Sequence, residues 1–361
     1  MAEKVYHKLC ETMARRGGRY PGLDIPEFYA LAEELFNPAE AAVAAAMPSK
    51  PITAAAMAKE AGKREGEMGD LLEAMADKGL CSSFEADGVR YYVGSPFVPG
   101  IFEFQFMRGT RTNRDRKMAR LIHDYKEAVD KARGPQTVSF PANRIIPVGE
   151  TIRSGSKVHT YNQVAGYLEK ADPISVSTCF CRHEAKLLDE KNDCGKPDEV
   201  CMQFGLGAKY VIERGLGRRV TKEEARETLK KAAAAGLVHA SLNTQEIDFL
   251  CNCCSCHCLI LKTALSQPKP GRALYSGFQP LFDPGICTGC EICLDRCPAG
   301  ALKMGPTTPE ANPDRCFGCG VCAGGCPVAA VQMIEKPGMP EPPLTRKQLR
   351  EVFESARVKR D

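Results

Sequence analysis

Apolar residues recur at helical spacing through much of the first hundred positions. In REGEMGDLLEAMADKGL (64–80), Met68, Leu71, Leu72 and Met75 share one helical face, and Gly79 supplies a C-terminal stop. Asn37-Pro38 gives N-cap and N1 chemistry ahead of AEAAVAAAM, and Thr53 caps a short helix, AAAMAKEAG. The period then changes. CSSFEADGVRYYVG (81–94) holds two strand-like runs around Asp87-Gly88, which predicts a hairpin. Thr221 and Glu224 form a capping box before a helix that runs through Ala235 and stops at Gly236. The stretch SVSTCFC (175–181) alternates like a strand, which puts Cys179 and Cys181 on one face. Residues 134–160 read as a loop-rich crossover and 337–344 as a proline-rich linker. A charged helix, RKQLREVFESARVKR, follows Thr345 and reads as a surface or docking element. These patterns predict a multidomain α+β chain.

Composition narrows the class. The chain has 361 residues and 19 cysteines. A disulfide framework needs a secreted context, and the N-terminal stretch shows no apolar signal core. Arg15-Arg16 is a twin-arginine pair, but Gly, Pro, Asp and Glu break the sequence after it. No apolar run approaches the ~18 residues of a membrane span. The expectation is a soluble, cytoplasmic protein, without membrane insertion, whose cysteines stay reduced as ligands. The formal charge of +4 counts cysteine as neutral. Cysteines bound to metal as thiolates bring negative charge, which takes the chain to near neutral or below. A generally basic, nucleic-acid-binding surface is therefore not expected.

Helix, helix, helix, hairpin over residues 1–107 resembles a winged-helix domain. The helix that such a domain would place in a DNA groove carries Glu65, Glu67, Asp70, Glu73 and Asp77 against Lys63, Arg64 and Lys78. Phosphate contacts supply most of the affinity for DNA, and this face repels phosphate. A docking or structural role is expected instead. The basic run RGTRTNRDRKMAR (108–120) reads as a solvated helix face that could also meet an acidic partner.

Residues 284–304 and 313–333 are an internal repeat offset by 29, and each copy contains C-x2-C-x2-C-x3-C-P. The repeat closely resembles bacterial dicluster ferredoxins. That resemblance implies one [4Fe–4S] cluster on Cys287, Cys290, Cys293 and Cys326, and a second on Cys316, Cys319, Cys322 and Cys297, because the fourth cysteine of each run serves the other cluster. Gly289, Gly318 and Gly320 let the backbone come close to a cluster. Pro298 and Pro327 direct the chain after the fourth ligand, and ALKM and AVQM supply short strands. Zinc ribbons do not carry this doubled spacing.

Apart from Cys10 and Cys81, nine cysteines remain: Cys179, Cys181, Cys194, Cys201, Cys251, Cys253, Cys254, Cys256 and Cys258. The last five lie in CNCCSCHC. If the run is extended, Cys251 and Cys253 face one way and Cys254, Cys256 and Cys258 the other. If it is helical, Cys251, Cys254 and Cys258 share a face and Cys253 and Cys256 share another. Either way a pair and a triple result. This suggests two metal centres flanking the run, each completed from Cys179–Cys201, and four [4Fe–4S] clusters in total. His183 and His257 are expected in non-ligand roles, and zinc is the competitor in this region. The order of a winged-helix-like start, a CxCR segment, a CNCC run and a dicluster module also resembles anaerobic multi-cluster iron–sulfur proteins. That resemblance implies electron transfer with a partner oxidoreductase or flavoprotein.

No C-x3-C-x2-C, P-loop, G-x-G-x-x-G after a strand, or nucleophile elbow is present. The organisation expected is a winged-helix-like domain (1–107), an α-rich, cysteine-dense central iron–sulfur domain (108–275), a ferredoxin-like dicluster domain (276–336) and a linker with a terminal helix (337–361). The function expected is relay of single electrons as a subunit or donor of an anaerobic oxidoreductase complex. It is an electron-transfer subunit before it is an enzyme on its own. A cluster-sensing transcriptional regulator and a reductase with an open-site central cluster are the alternatives.

Overall fold

The computed structural model describes residues 2–134, 140–147, 151–152 and 164–358. Most of the 134–160 crossover lies outside them. In chain order, α1 (Ala2–Arg16), α2 (Pro26–Leu35), α3 (Pro38–Ala46), α4 (Ala54–Ala61) and α5 (Glu65–Asp77) precede a hairpin of β1 (Cys81–Ala86) and β2 (Val89–Gly94). Then come α6 (Phe102–Phe106), α7 (Asn113–Arg133), β3 (Asn143–Ile145), α8 (Val164–Lys170), β4 (Ile174–Thr178), α9 (Phe180–Leu188), β5 (Glu199–Phe204) and α10 (Gly205–Glu213). The chain continues through β6 (Arg218–Val220), α11 (Lys222–Ala234), β7 (Val238–Leu242), β8 (Phe249–Cys253), α12 (Leu259–Leu265) and α13 (Pro270–Ala273). The last elements are β9 (Phe278–Phe282), α14 (Ile292–Asp295), β10 (Leu302–Met304), β11 (Pro309–Ala311), α15 (Val321–Gly324), β12 (Val331–Glu335) and α16 (Arg346–Val358). The architecture is mixed helix and sheet. Among the described residues no helix is long and apolar enough to cross a membrane.

Local chemistry sets many of these boundaries. The Asn37 side chain accepts from the Ala39 and Glu40 N–H groups, and the Glu40 carboxylate accepts from the Asn37 N–H in return. Thr53 caps α4 through the Ala56 N–H. Thr221 and Glu224 form the same reciprocal box on α11. Asp87 and Gly88 both take positive φ, 51° and 73°, which matches the right-handed twist of β1 and β2.

The strand predicted over 175–181 is shorter than expected. It ends at Thr178; Cys179 is the N-cap of α9, and Cys181 lies in that helix's first turn. The helical run FCRHEAKLL, which buries Arg182, His183, Glu184 and Leu187, takes over from the alternation. Cys179 and Cys181 therefore do not share a strand face.

The described residues fall into two compact units. The first is built from residues 1–136, Ser177–Asp193 and Lys209–Arg218. Its core holds Phe97 stacked on Phe102 at 4.7 Å, with Tyr125 edge-on to both. Arg16, half of the twin-arginine pair, donates to the carbonyls of Ala44, Met47 and Ser95. The hairpin and α5 close over two residues distant in sequence. Tyr210 Oη donates to the Ala76 and Cys81 carbonyls. The buried Arg214 guanidinium reaches Glu73 at 2.7 Å, Asp77 at 2.8 Å and Ser83 at 2.8 Å.

The second unit holds the remaining segments. Its largest sheet has the order β3-β7-β8-β5-β4-β6. Leu250 of β8 packs on one side with Ile146, Val176, Met202 and Phe204. Cys253, with Cys251 packed beside it, lies on the other side with Ile145, Val238 and Ala240. The two-residue period of β8 thus turns its cysteines to the face opposite Leu250. Two small antiparallel sheets, β9 with β12 and β10 with β11, complete the C-terminal part.

Candidate metal centres

The sequence repeat is a repeat of backbone. Gly289 and Gly318 take φ of 68° and 69°, Glu291 and Gly320 take 60° and 78°, and Gly300 and Ala329 both take 53°. Each pair is separated by the 29-residue offset. The left-handed residue before α14 or α15 turns the chain so that three cysteines bend around one point. Cys287, Cys290, Cys293 and Cys326 line one cavity with Phe282, Ile292, Pro327 and Val331. Cys297, Cys316, Cys319 and Cys322 line a second with Pro298, Phe317, Leu302 and Met333. Each cavity draws its fourth thiol from the other copy of the repeat.

The donor set suits a [4Fe–4S] cluster. The Ala301 and Ala330 N–H groups donate to the Cys297 and Cys326 sulfurs at 3.2 Å. The Gly318 and Val321 N–H groups reach Cys316 and Cys319. Burial still outweighs these bonds and pushes the Cys319 thiol up to about 12. Cys322 is raised well above the usual thiol range, first by burial and then by its neighbouring thiols. Several thiolates cannot coexist in so apolar a shell without a cation, and a bound metal group supplies that charge.

Residues 286–330 match the 4Fe-4S dicluster domain family. The protein is thus an iron–sulfur protein with a ferredoxin-type module, and its role is electron transfer. No curated protein and no solved structure matches the chain.

The central cysteines divide in a way neither regular conformation gives. β8 is extended as far as Cys253; a turn over Ser255–His257 follows, closed by the Cys258 N–H on the Cys254 carbonyl at 3.2 Å. Cys253 hydrogen-bonds with both Cys251 and Cys258, and these contacts, ahead of burial, raise its thiol well above the usual range. Cys254 and Cys256 leave in another direction and meet Cys194, the three sulfurs lying within 4.8 Å of one another. A pair and a triple do form, but the triple is Cys251, Cys253 and Cys258. The change from strand to turn at Cys254 breaks both periodicities.

Cys201 belongs beside the triple. β5 pairs antiparallel with β8 as Met202↔Leu250 and Gln203↔Phe249. The same register carried one residue further sets Cys201 opposite Cys251, on the same face. Cys179 is buried and Cys181 half-buried, and both belong to the first unit. His183 pairs through Nε2 with the Thr110 carbonyl at 2.7 Å.

Two residues that hold this arrangement escaped the sequence reading. Asn252, between two cysteines, donates through Nδ2 to the Val200 carbonyl of β5 and accepts from His239 Nδ1 of β7. Burial lowers the His239 pKa, so the ring is neutral and fit for that neutral bond. Arg296 donates to the Ala233 and Ala234 carbonyls at the C-terminus of α11, at 3.0 and 3.2 Å. The alternation of Asn252 with flanking cysteines was the available signal for the first. Nothing local signals the second.

The thiol sets are contiguous. Cys253, Cys258 and Cys319 lie in one buried core, with Cys251, Cys297 and Cys316 packed against it. Cys293 and Cys322 lie in the next, with Cys326 at its edge.

Proposed function

We propose that this chain relays single electrons between a surface entry at the ferredoxin module and its central cysteine-rich region, as a subunit or dedicated donor of a larger oxidoreductase. Cys287, Cys290, Cys293 and Cys326 would hold the outer [4Fe–4S] cluster, and Cys297, Cys316, Cys319 and Cys322 the inner one. Cys251, Cys253 and Cys258, with Cys201 across the strand, would hold a third. Such clusters supply one-electron storage when bound. The chain's own contribution is order and insulation. Cys290 is exposed whereas Cys319 and Cys322 are buried, so the sets run from surface to interior.

The observation that carries this reading is the shared core of Cys253, Cys258 and Cys319. It places thiols of the central set and of the ferredoxin module in one apolar cluster. A redox-sensing regulator is less well supported. On α5, Glu73 and Asp77 are tied to Arg214, so the acidic helix is committed to packing within the first unit. In this reading residues 1–107 form a winged-helix-like domain and the protein works in the cytoplasm. The partner expected is an oxidoreductase or flavoprotein.

The test is Cys253→Ser in the full-length, anaerobically purified protein. About four irons should be lost. The spin-coupled part of the electron paramagnetic resonance spectrum of the reduced protein should simplify. An unchanged iron content and spectrum would show that the central triple holds no cluster.

A further inference from the structure

Cys194, Cys254 and Cys256 stand apart from every other thiol set in one respect. Their three Sγ atoms all lie within 4.8 Å of one another. Among the described residues no other three cysteines come that close together, the eight of the ferredoxin module included. The distinction has a chemical meaning. In a cubane each thiolate bonds a different iron, so the sulfurs stand well apart. Around one tetrahedral ion with metal–sulfur bonds of about 2.3 Å, they stand about 3.8 Å apart. The tight trio keeps that spacing in all three of its pairs, whereas Cys251 and Cys258 each meet Cys253 without closing a group of three.

We infer that Cys194, Cys254 and Cys256 bind one divalent, thiolate-preferring metal ion of the zinc class, in place of the fourth cubane expected from the sequence. The surroundings fit. Cys254 is buried in a small apolar core with Val200, Ala232 and Leu237, against which Cys194 packs. The Lys196 N–H donates to the Cys194 sulfur, a bond that orients and stabilises a metal thiolate. Gly195, with φ of 67°, makes the bend that separates Cys194 from Lys196. Binding exchanges three thiol protons for one M2+ and leaves the site with a net charge of −1. Three thiolates fill three of the four tetrahedral positions. Cys256 is exposed, so the fourth is open to a further ligand from the Cys256 side.

The site does not take part in electron storage, because zinc has no redox chemistry. It fixes the turn that separates Cys254 and Cys256 from Cys253 and Cys258, and so holds the neighbouring set in place. The inference rests on the electron-relay reading only for the iron count of the other sets.

The experiment is metal analysis of the anaerobically purified full-length protein, with iron, zinc and acid-labile sulfide measured together. About one zinc and about twelve irons per chain are expected. Cys256→Ser, an exposed position that burdens folding little, should lose most of the zinc and keep the iron. Cobalt(II) offered to metal-depleted wild-type protein should give intense thiolate-to-cobalt absorption, and Cys256→Ser should lack it. About sixteen irons without zinc would overturn the inference, as would a loss of about four irons in Cys256→Ser or zinc fully retained in that variant. A failure of the relay reading would look different: clusters that dithionite does not reduce, with the zinc count intact.

Discussion

At Gly318 a side chain has no room. A Cβ there would stand 2.1 Å from the Phe278 carbonyl oxygen and 2.5 Å from Ser276 Oγ, on a backbone of φ +69°. Its repeat mate Gly289 shares the φ, at +68°, but a Cβ would meet only Met304 Cε, at 3.7 Å. The two positions separate conformational strain from steric exclusion. Gly289→Ala should cost about 1–2 kcal/mol, the price of a left-handed alanine. Gly318→Ala adds a clash with the backbone of β9 and should cost at least about 3 kcal/mol. Thermal unfolding of the two holoproteins checks the difference, and iron should be lost selectively from the Cys297, Cys316, Cys319 and Cys322 set in Gly318→Ala. Equal effects at both positions would mean that the loop yields where the structure shows it pinned.

Among the elements, α5 shows what packing does with an acidic helix face. Its carboxylates Glu73 and Asp77 read in the sequence as part of an acidic face that repels phosphate, with a docking or structural role. In the fold they receive the Arg214 guanidinium, whose side chain is 4% exposed. Glu73 is held below the usual carboxylate range: burial opposes this, but the bonds from Arg214 and Tyr92 and the charges of Arg214 and Arg90 together outweigh it. Arg214→Met removes a buried charge-assisted set and leaves the Ser83 hydroxyl without that donor. The expected cost is about 1–3 kcal/mol, seen as a lower melting temperature. The absorption of the iron–sulfur module should not change, because Arg214 and its partners belong to the other unit. Loss of iron in this variant would contradict that separation.

For the molecule as a whole, the outer end of the thiol series is an apolar rim. Ile286, Ile292 and Val328 are 47%, 40% and 39% exposed, beside the exposed Cys290. Apolar contact with a polar surround is what a transient redox complex uses to bring centres close. Ile286→Asp, at a rim position outside the cavity lining, should slow reduction by a reduced flavoprotein about tenfold, while reduction by a small viologen and the iron content stay unchanged. Equal slowing with both donors would place the defect in the cluster and not at the docking surface.

Much was fixed by local chemistry and so was legible in the chain. The caps at Asn37, Thr53 and Thr221, the Asp87-Gly88 turn and the paired C-x2-C-x2-C-x3-C-P runs each act within a few residues, where covalent neighbours dictate geometry. The 29-residue offset even carried the left-handed backbone positions from one copy to the other. The tertiary structure decided what depends on distant partners. The strand over 175–181 gave way to α9 at Cys179 because a helical face had Arg182, His183 and Leu187 to bury. The five cysteines of CNCCSCHC divided as they did because β8 ends where pairing with β7 ends, at Cys253. The turn beyond it then sends Cys254 and Cys256 toward Cys194, about sixty residues earlier in the chain. A sequence period can say that thiols will part into groups. Only strand registry, which is long-range, and the contact of the turn beyond it with Cys194 choose which thiols meet.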